Sequence, residues 1–262
     1  MGLVRVDLNG HPTWAKLREG HGEDLVVLHG GLSSSASLRD AVGGRLRRHF
    51  RVSYFDRRGH GRTADTAEPF HYDAMVDETI AFLERLGHRA HLLGHSDGGI
   101  VALLTALRRP DLVRRIVAVG ANTHPSGLVA TPAFPLEGPD FEAWALAFGA
   151  RSPDGVGHAR IVAEKSVHLF ATEPTLDPGV LAALAAPTLI MVGDDDSTRL
   201  DHAVEMYEAL PAGQLCVLPG ASHGLLKEYP GLAVRIITRF LVGPVPPPTR
   251  QPIRRRPPEP IG

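Results

Sequence analysis

The chain has 262 residues, 43% of them hydrophobic, and a formal net charge of -1. That length and apolar content suit one large α/β domain with a sizeable core, and the near-zero charge gives no field to attract nucleic acid or an anionic membrane, so neither is expected as a partner. One cysteine, Cys216, excludes an internal disulfide. No apolar stretch reaches the ~18 residues of a membrane span, and no apolar leader opens the sequence, so the expected location is the cytoplasm.

Leu3 to Leu8 alternates apolar and polar, Asn9-Gly10 follows, and Thr13 to Leu17 alternates again, which predicts a β-hairpin. Leu25 to Leu28 reads as a buried strand running into the glycine- and serine-rich loop His29-Gly30-Gly31-Leu32-Ser33-Ser34-Ser35. Leu38 to Phe50 has helical spacing, Val52 to Phe55 is a strand, and His71 to Leu86 is a helix stopped by Gly87. The strand His91–Leu93 meets Gly94-His95-Ser96-Asp97-Gly98-Gly99, after which Ile100 to Arg108 is helical and Ile116 to Val119 is a strand. Residues 122–186 lose this rhythm and read as an insertion over the site. The pattern resumes with strand Thr188–Val192, helix His202–Leu210, strand Leu215–Leu218 and helix Leu232–Leu241. Eight of the last twenty residues are proline and four are arginine, so 243–262 is expected to be a disordered or extended tail.

Strands alternating with helices predict a mostly parallel sheet covered on both faces. Its strands end in glycine-rich or charged clusters, which places those clusters at one sheet edge, where open α/β sheets build their sites. Among them, G-x-S-x-G between a strand and a helix is the pattern of a nucleophile elbow. Gly94 and Gly98 permit a turn tight enough to strain Ser96. A serine hydroxyl needs a base, and the base needs an orienting acid. Both kinds of residue follow in order: Asp194, Asp195 and Asp196 after one strand, then His223 after the next.

These motifs resemble the α/β-hydrolase fold family over roughly residues 1–242. The likeness is carried by His29-Gly30-Gly31, Asp56-Arg57-Arg58-Gly59-His60-Gly61, Gly94 to Gly99, Gly193-Asp194-Asp195-Asp196 and Ser222-His223-Gly224. It implies an α/β core of 1–121 and 187–242, with a small helical cap of 122–186 inserted after the sixth strand. It also implies a triad of Ser96, Asp196 and His223, and an oxyanion hole made by the amides of Gly31 and Asp97, with Leu32 as the alternative to Gly31. The expected activity is hydrolysis of a small carboxylic ester through an acyl-enzyme, with no cofactor. A lactonase, a C–C bond hydrolase and a cofactor-free perhydrolase use the same triad, and a non-catalytic receptor or scaffold can reuse the fold.

The elbow is also similar to that of amino-acid-ester hydrolases, in which an aspartate after the nucleophile binds the substrate ammonium; Asp97 stands there. Phe141, Trp144 and Phe148 share helical spacing in the cap, most of it the face packed on the core; Trp144 and Phe148, with Leu32 of the loop after the strand Leu25–Leu28, are the expected substrate-pocket residues. His60, His124, His158 and His168 lack partners at metal-ligand spacing, so no metal site is expected. His29 is expected to brace the oxyanion loop and His95 to pack. Gly59-x-Gly61-x-x-Ala64 matches a dinucleotide fingerprint, but no helix start follows it. The oligomeric state is left open.

Overall fold

The computed structural model describes residues 2–129, 134–245 and 250–251. Of the expected tail, 243–245 and 250–251 are among them and the rest lies outside. Eight strands form one sheet in the order β1-β2-β4-β3-β5-β6-β7-β8. β1 (Leu3–Leu8) and β2 (His11–Gly20) are the hairpin, with Asn9 and Gly10 at positive φ, and β2 runs antiparallel to β4 (Phe50–Phe55). The other strands are parallel: β3 (Glu23–Leu28), β5 (Ala90–His95), β6 (Val113–Val119), β7 (Thr188–Asp195) and β8 (Gly213–Ser222).

Parallel strands need both faces covered, so they read as continuous apolar runs rather than alternating ones. Leu25 to Leu28 and Ile116 to Val119 are such runs, and each of these side chains is at most 1% exposed. One face packs on helices Tyr72–Leu86, Asp97–Arg108 and Leu200–Ala209; the other packs on Pro230–Val242 and the helical stretch before β4. Gly87 ends the helix Tyr72–Leu86 in the left-handed region (φ 73°), as its position predicts.

The stretch expected as one helix from Leu38 to Phe50 is instead three short pieces: Ser35–Leu38, a π-turn at Arg39–Gly43, and Gly44–Leu46. Two adjacent glycines weaken the helix, and Gly43 lets the backbone lie against Tyr54, where a Cβ would meet the hydroxyl at 2.5 Å. Helices Pro139–Gly149 and Ala159–Thr172 run between β6 and β7, in the stretch expected as a cap, and are tied to the core by polar contacts. Lys165 Nζ and His158 Nε2 reach Asp65 Oδ2 at 2.7 and 2.8 Å, and Trp144 Nε1 donates to the Leu32 carbonyl at 2.8 Å.

Candidate active site

At the tip between β5 and the helix Asp97–Arg108, Ser96 adopts φ 54°, ψ -123°. A non-glycine residue there stores strain of order 1–3 kcal/mol, so its surroundings must over-determine it. They do. The Ser96 N–H donates to Val119 O at 2.7 Å, and the Ser96 carbonyl accepts from the N–H groups of Gly99 at 2.7 Å and Ile100 at 3.2 Å. The turn closes only because both flanking residues lack a Cβ. A Cβ on Gly94 would stand 2.0 Å from Gly98 O, and one on Gly98 would stand 2.2 Å from Leu28 O.

Asp196 follows β7 and His223 follows β8. Register pairing of the two strand ends, Asp195 with Ser222, brings the next residues together. His223 Nδ1 lies 2.7 Å from Asp196 Oδ1. The Asp196 carboxylate is also held by backbone N–H groups, Thr198 on Oδ1 at 3.1 Å and Gly193 on Oδ2 at 3.2 Å, and by the Ser197 hydroxyl, which donates to Oδ1 at 3.3 Å. Burial pushes its carboxyl up, but the bonds from His223 and these amides outweigh burial and hold it below the ordinary value. An ionised Asp196 is matched by the tautomer of His223 that carries its proton on Nδ1, which leaves the Nε2 lone pair open. Ser197 Oγ also stands 3.1 Å from Nδ1. Of the other two aspartates, Asp194 accepts the Ala221 N–H at 3.1 Å, and both belong to the exposed end of β7 rather than to a turn after it.

Gly120 forms the wall behind the imidazole. Its φ is +58°, and a Cβ there would lie 2.8 Å from both Cε1 and Nδ1 of His223. Gly120→Ala is expected to keep the fold and lower kcat roughly tenfold to hundredfold with little change in KM, since a displacement of about 1 Å at a catalytic group costs on that order. Steady-state kinetics beside the thermal melt check this. His95 packs as expected. Its Nε2 donates to the His223 carbonyl at 2.8 Å, and its ring lies 4.8 Å from the His223 ring. Burial, with His223 beside it, lowers its pKa to about 4, so it stays neutral.

The loop after β3 reaches the same space. A Cβ on Gly31 would strike Phe170 at 2.5 Å and Asp97 Oδ2 at 2.6 Å, so any larger residue there has to displace these side chains. His29 braces this loop: its Nδ1 donates to Gly30 O at 2.8 Å, and its Nε2 accepts the Arg57 N–H at 3.1 Å. Asp97 opens the helix, so its N–H has no acceptor one turn earlier. Its side chain is engaged inside the protein. Oδ1 accepts the Tyr72 hydroxyl at 3.1 Å, and Oδ2 faces Arg57 Nη2 at 3.9 Å.

A cavity of about 310 Å³ joins these parts. Gly31, Leu32, Ser96, Asp97, Gly120 and His223 line it. So do Tyr72, Asn122, Leu128, Phe170, Glu173 and Ser197. The structure does not bring Trp144 and Phe148 here. They stack on one another and line a separate groove of about 160 Å³ beyond Leu32, with Ser33, Ser34 and Arg151. Trp144's bond to the Leu32 carbonyl holds that helix on the far side of the loop. The aromatic side chains of the cavity are Tyr72 and Phe170, which sequence spacing did not single out as site residues. Among the described residues no helix is long and apolar enough to cross a membrane, and no group of three or more His, Cys, Asp or Glu is placed to hold a metal ion.

Comparison with known proteins places this geometry among others. The chain is 28% identical over 246 residues to a putative carbamate hydrolase, RutD, of Caulobacter sp. (strain K31), covering 83% of this chain and 90% of that protein. It is 28% identical over 255 residues to the pimeloyl-[acyl-carrier protein] methyl ester esterase of Aeromonas salmonicida, covering 86% and 98%. Among solved structures, a serine hydrolase involved in carbazole degradation, the CarC enzyme, superposes with a TM-score of 0.77 at 21% identity, over 92% of this chain and 98% of that one. The model of the alpha/beta hydrolase family matches residues 25–235, so the chain belongs to the alpha/beta hydrolase family.

Proposed function

We propose that this protein is a serine hydrolase of small carboxylic esters, working through an acyl-enzyme. The observation that carries the reading is the His223–Asp196 pair at 2.7 Å, opening into the cavity that also receives the strained Ser96. Ser96 Oγ attacks the ester carbonyl while His223 Nε2 takes its proton. The tetrahedral oxyanion is held by the Gly31 and Asp97 amides, each donor being worth about 3–4 kcal/mol in the transition state. His223 then protonates the leaving alcohol. Water, deprotonated by the same nitrogen, frees the acid and regenerates Ser96. The chain's own groups complete these steps, so no cofactor is needed. A cavity of about 310 Å³ suits a small substrate.

Asp97 bears on the substrate class. Both carboxylate oxygens face partners within the protein, and an aminoacyl ester would have to compete with Tyr72 and Arg57 for them. The proposed substrate is therefore uncharged next to Asp97. A fluorophosphonate probe tests the reading. A stoichiometric adduct located on Ser96 by mass spectrometry, absent in Ser96→Ala, is expected, together with turnover of short acyl esters in preference to aminoacyl esters. A wild-type enzyme without an adduct would favour a receptor on this fold, and ester turnover surviving in Ser96→Ala would refute the mechanism. Lactones and C–C bond substrates in the same panel separate ester hydrolysis from the other reactions this triad supports.

A further inference from the structure

The oxyanion site holds a contradiction that the mechanism above does not resolve. One of its two donors is the amide of an aspartate, and that aspartate's Oδ2 sits 2.6 Å from where a Gly31 Cβ would be. An acidic side chain thus stands against the loop that should receive negative charge. In a partly buried site, where charges are weakly screened, such a charge opposes the oxyanion.

The counter-charge lies behind it. Arg57, from the loop after β4, is the largest fully buried side chain among the described residues, at 1% exposure. Its Nη2 is 3.9 Å from Asp97 Oδ2 and 3.4 Å from His29 Nδ1, while its Nε and Nη1 have no hydrogen-bond partner among the described residues. A guanidinium that leaves two of its nitrogens, three N–H donors in all, unmet is expensive to bury. Packing does not explain it, since an apolar chain of the same length would fill the space more cheaply. Charge balance does. Arg57 is faced by Asp97, Tyr72 and Glu78, and by His29 and His60. Burial keeps both histidines neutral, the second with a pKa of about 4. Glu78 is shared with Arg58, whose Nε is 3.2 Å from it. Asp97 is faced by Arg57, by the Tyr72 hydroxyl and by His223, with Glu173 on the same cavity wall.

We propose that Arg57 is a positioning residue for the oxyanion site: it neutralises the Asp97 carboxylate, so that the Asp97 amide can stabilise an anion although its own side chain is acidic. The proposal rests on the hydrolase reading above. It makes a prediction that a packing role does not. Burial already pushes the Asp97 carboxyl up, while Arg57 and Tyr72 pull it down. Removing Arg57 removes the largest of the pulls that lower it, leaving Tyr72, His223 and the backbone, and raises that carboxyl further. Below its new pKa Asp97 is neutral and the oxyanion site works; above it an unpaired carboxylate faces the oxyanion.

The experiment is the pH profile of kcat for a short acyl ester, normalised to active sites by fluorophosphonate titration, in wild type, Arg57→Met, Asp97→Asn and the double variant. Arg57→Met is expected to gain an alkaline fall of roughly hundredfold, the size of losing one oxyanion donor. The fall should be absent from wild type, from Asp97→Asn and from the double variant, and the double variant should match Asp97→Asn within about threefold. An Arg57→Met profile of wild-type shape overturns the proposal, as does a double variant about tenfold or more below Asp97→Asn. If Arg57→Met does not fold, the second comparison decides alone. A double variant that fails to fold beside a folded Asp97→Asn assigns Arg57 a structural role and also overturns it. If turnover survives Ser96→Ala, the hydrolase reading is what fails, whatever the profiles show.

Discussion

Asp196→Asn is expected to lower kcat by about 10⁴-fold while leaving the protein folded and KM within a few-fold, the loss typical of turning an orienting carboxylate into an amide. The reason lies in how the group is held. Both oxygens accept N–H bonds: Oδ1 from Thr198 and from His223, Oδ2 from Gly193. Asparagine has one acceptor oxygen and one NH₂. Placed toward Gly193, the NH₂ meets another donor. Placed toward His223, it meets the Nδ1–H and selects the tautomer protonated on Nε2, which cannot take a proton from Ser96. Steady-state kinetics with active-site titration check the loss. Wild-type kcat in the variant would remove Asp196 from the mechanism.

The same variant has a second signature in stability. The folded Asp196 carboxyl titrates below its ordinary value of 3.8. A depressed carboxylate contributes stability that is present above the unfolded value and lost as pH falls through the folded one. The gap in Tm between wild type and Asp196→Asn should therefore shrink as pH is lowered from neutral to below about 4. His223 is one of the contacts that hold the carboxyl down, so the gap also reports on that pair and not on the backbone bonds alone.

Why some of this was legible and some was not follows from where each feature's cause lies. Gly94-x-Ser96-x-Gly98 is local: its turn is built from its own backbone, so strand, glycine, serine and helix in sequence are enough to read it. That Asp194–Asp196 and His223 lie on one edge is legible because parallel strands end there, and β7 and β8 are neighbours; the choice of Asp196 among the three aspartates comes from the family resemblance alone. The sequence expectation that places Trp144 and Phe148 in the pocket rests on helical spacing. Spacing says which residues share a face, but not which side of the 31–35 loop that face lands on. The Trp144–Leu32 bond and the Asp65–Lys165 tie decide that, and both join residues a hundred or more positions apart. Tyr72 and Arg57 were illegible as site residues for the same reason. Each belongs locally to a helix start or a strand end, and only the fold brings them to Asp97. The Leu38–Phe50 stretch failed differently: its apolar spacing was helical, but Gly43 and Gly44 interrupt it where the backbone approaches Tyr54.

Gly94→Ala is expected to be the most destabilising single-methyl change at the site, although it alters no polar group. The added Cβ would lie 2.0 Å from Gly98 O, 2.2 Å from Gly98 C and 2.4 Å from Gly99 N. All three are backbone atoms, so no rotamer change relieves the contact. The elbow must open, and opening it breaks the bonds that hold Ser96 to Val119 O and Gly99 to Ser96 O. Overpacking against movable side chains costs about 1–3 kcal/mol; against fixed backbone the cost should exceed about 3 kcal/mol. For a chain of this size that lowers Tm by roughly 6–12 °C. Ser96 would also leave its strained conformation, so fluorophosphonate labelling should slow even in the molecules that remain folded. Gly231→Ala is the control: it adds the same methyl at the start of the Pro230–Val242 helix, where nothing lies within 4 Å. Alanine is the better helix former there, so its Tm should stay level or rise slightly. Equal melting of the two variants would mean that the turn at Ser96 is looser than the close approach of Gly94 and Gly98 implies.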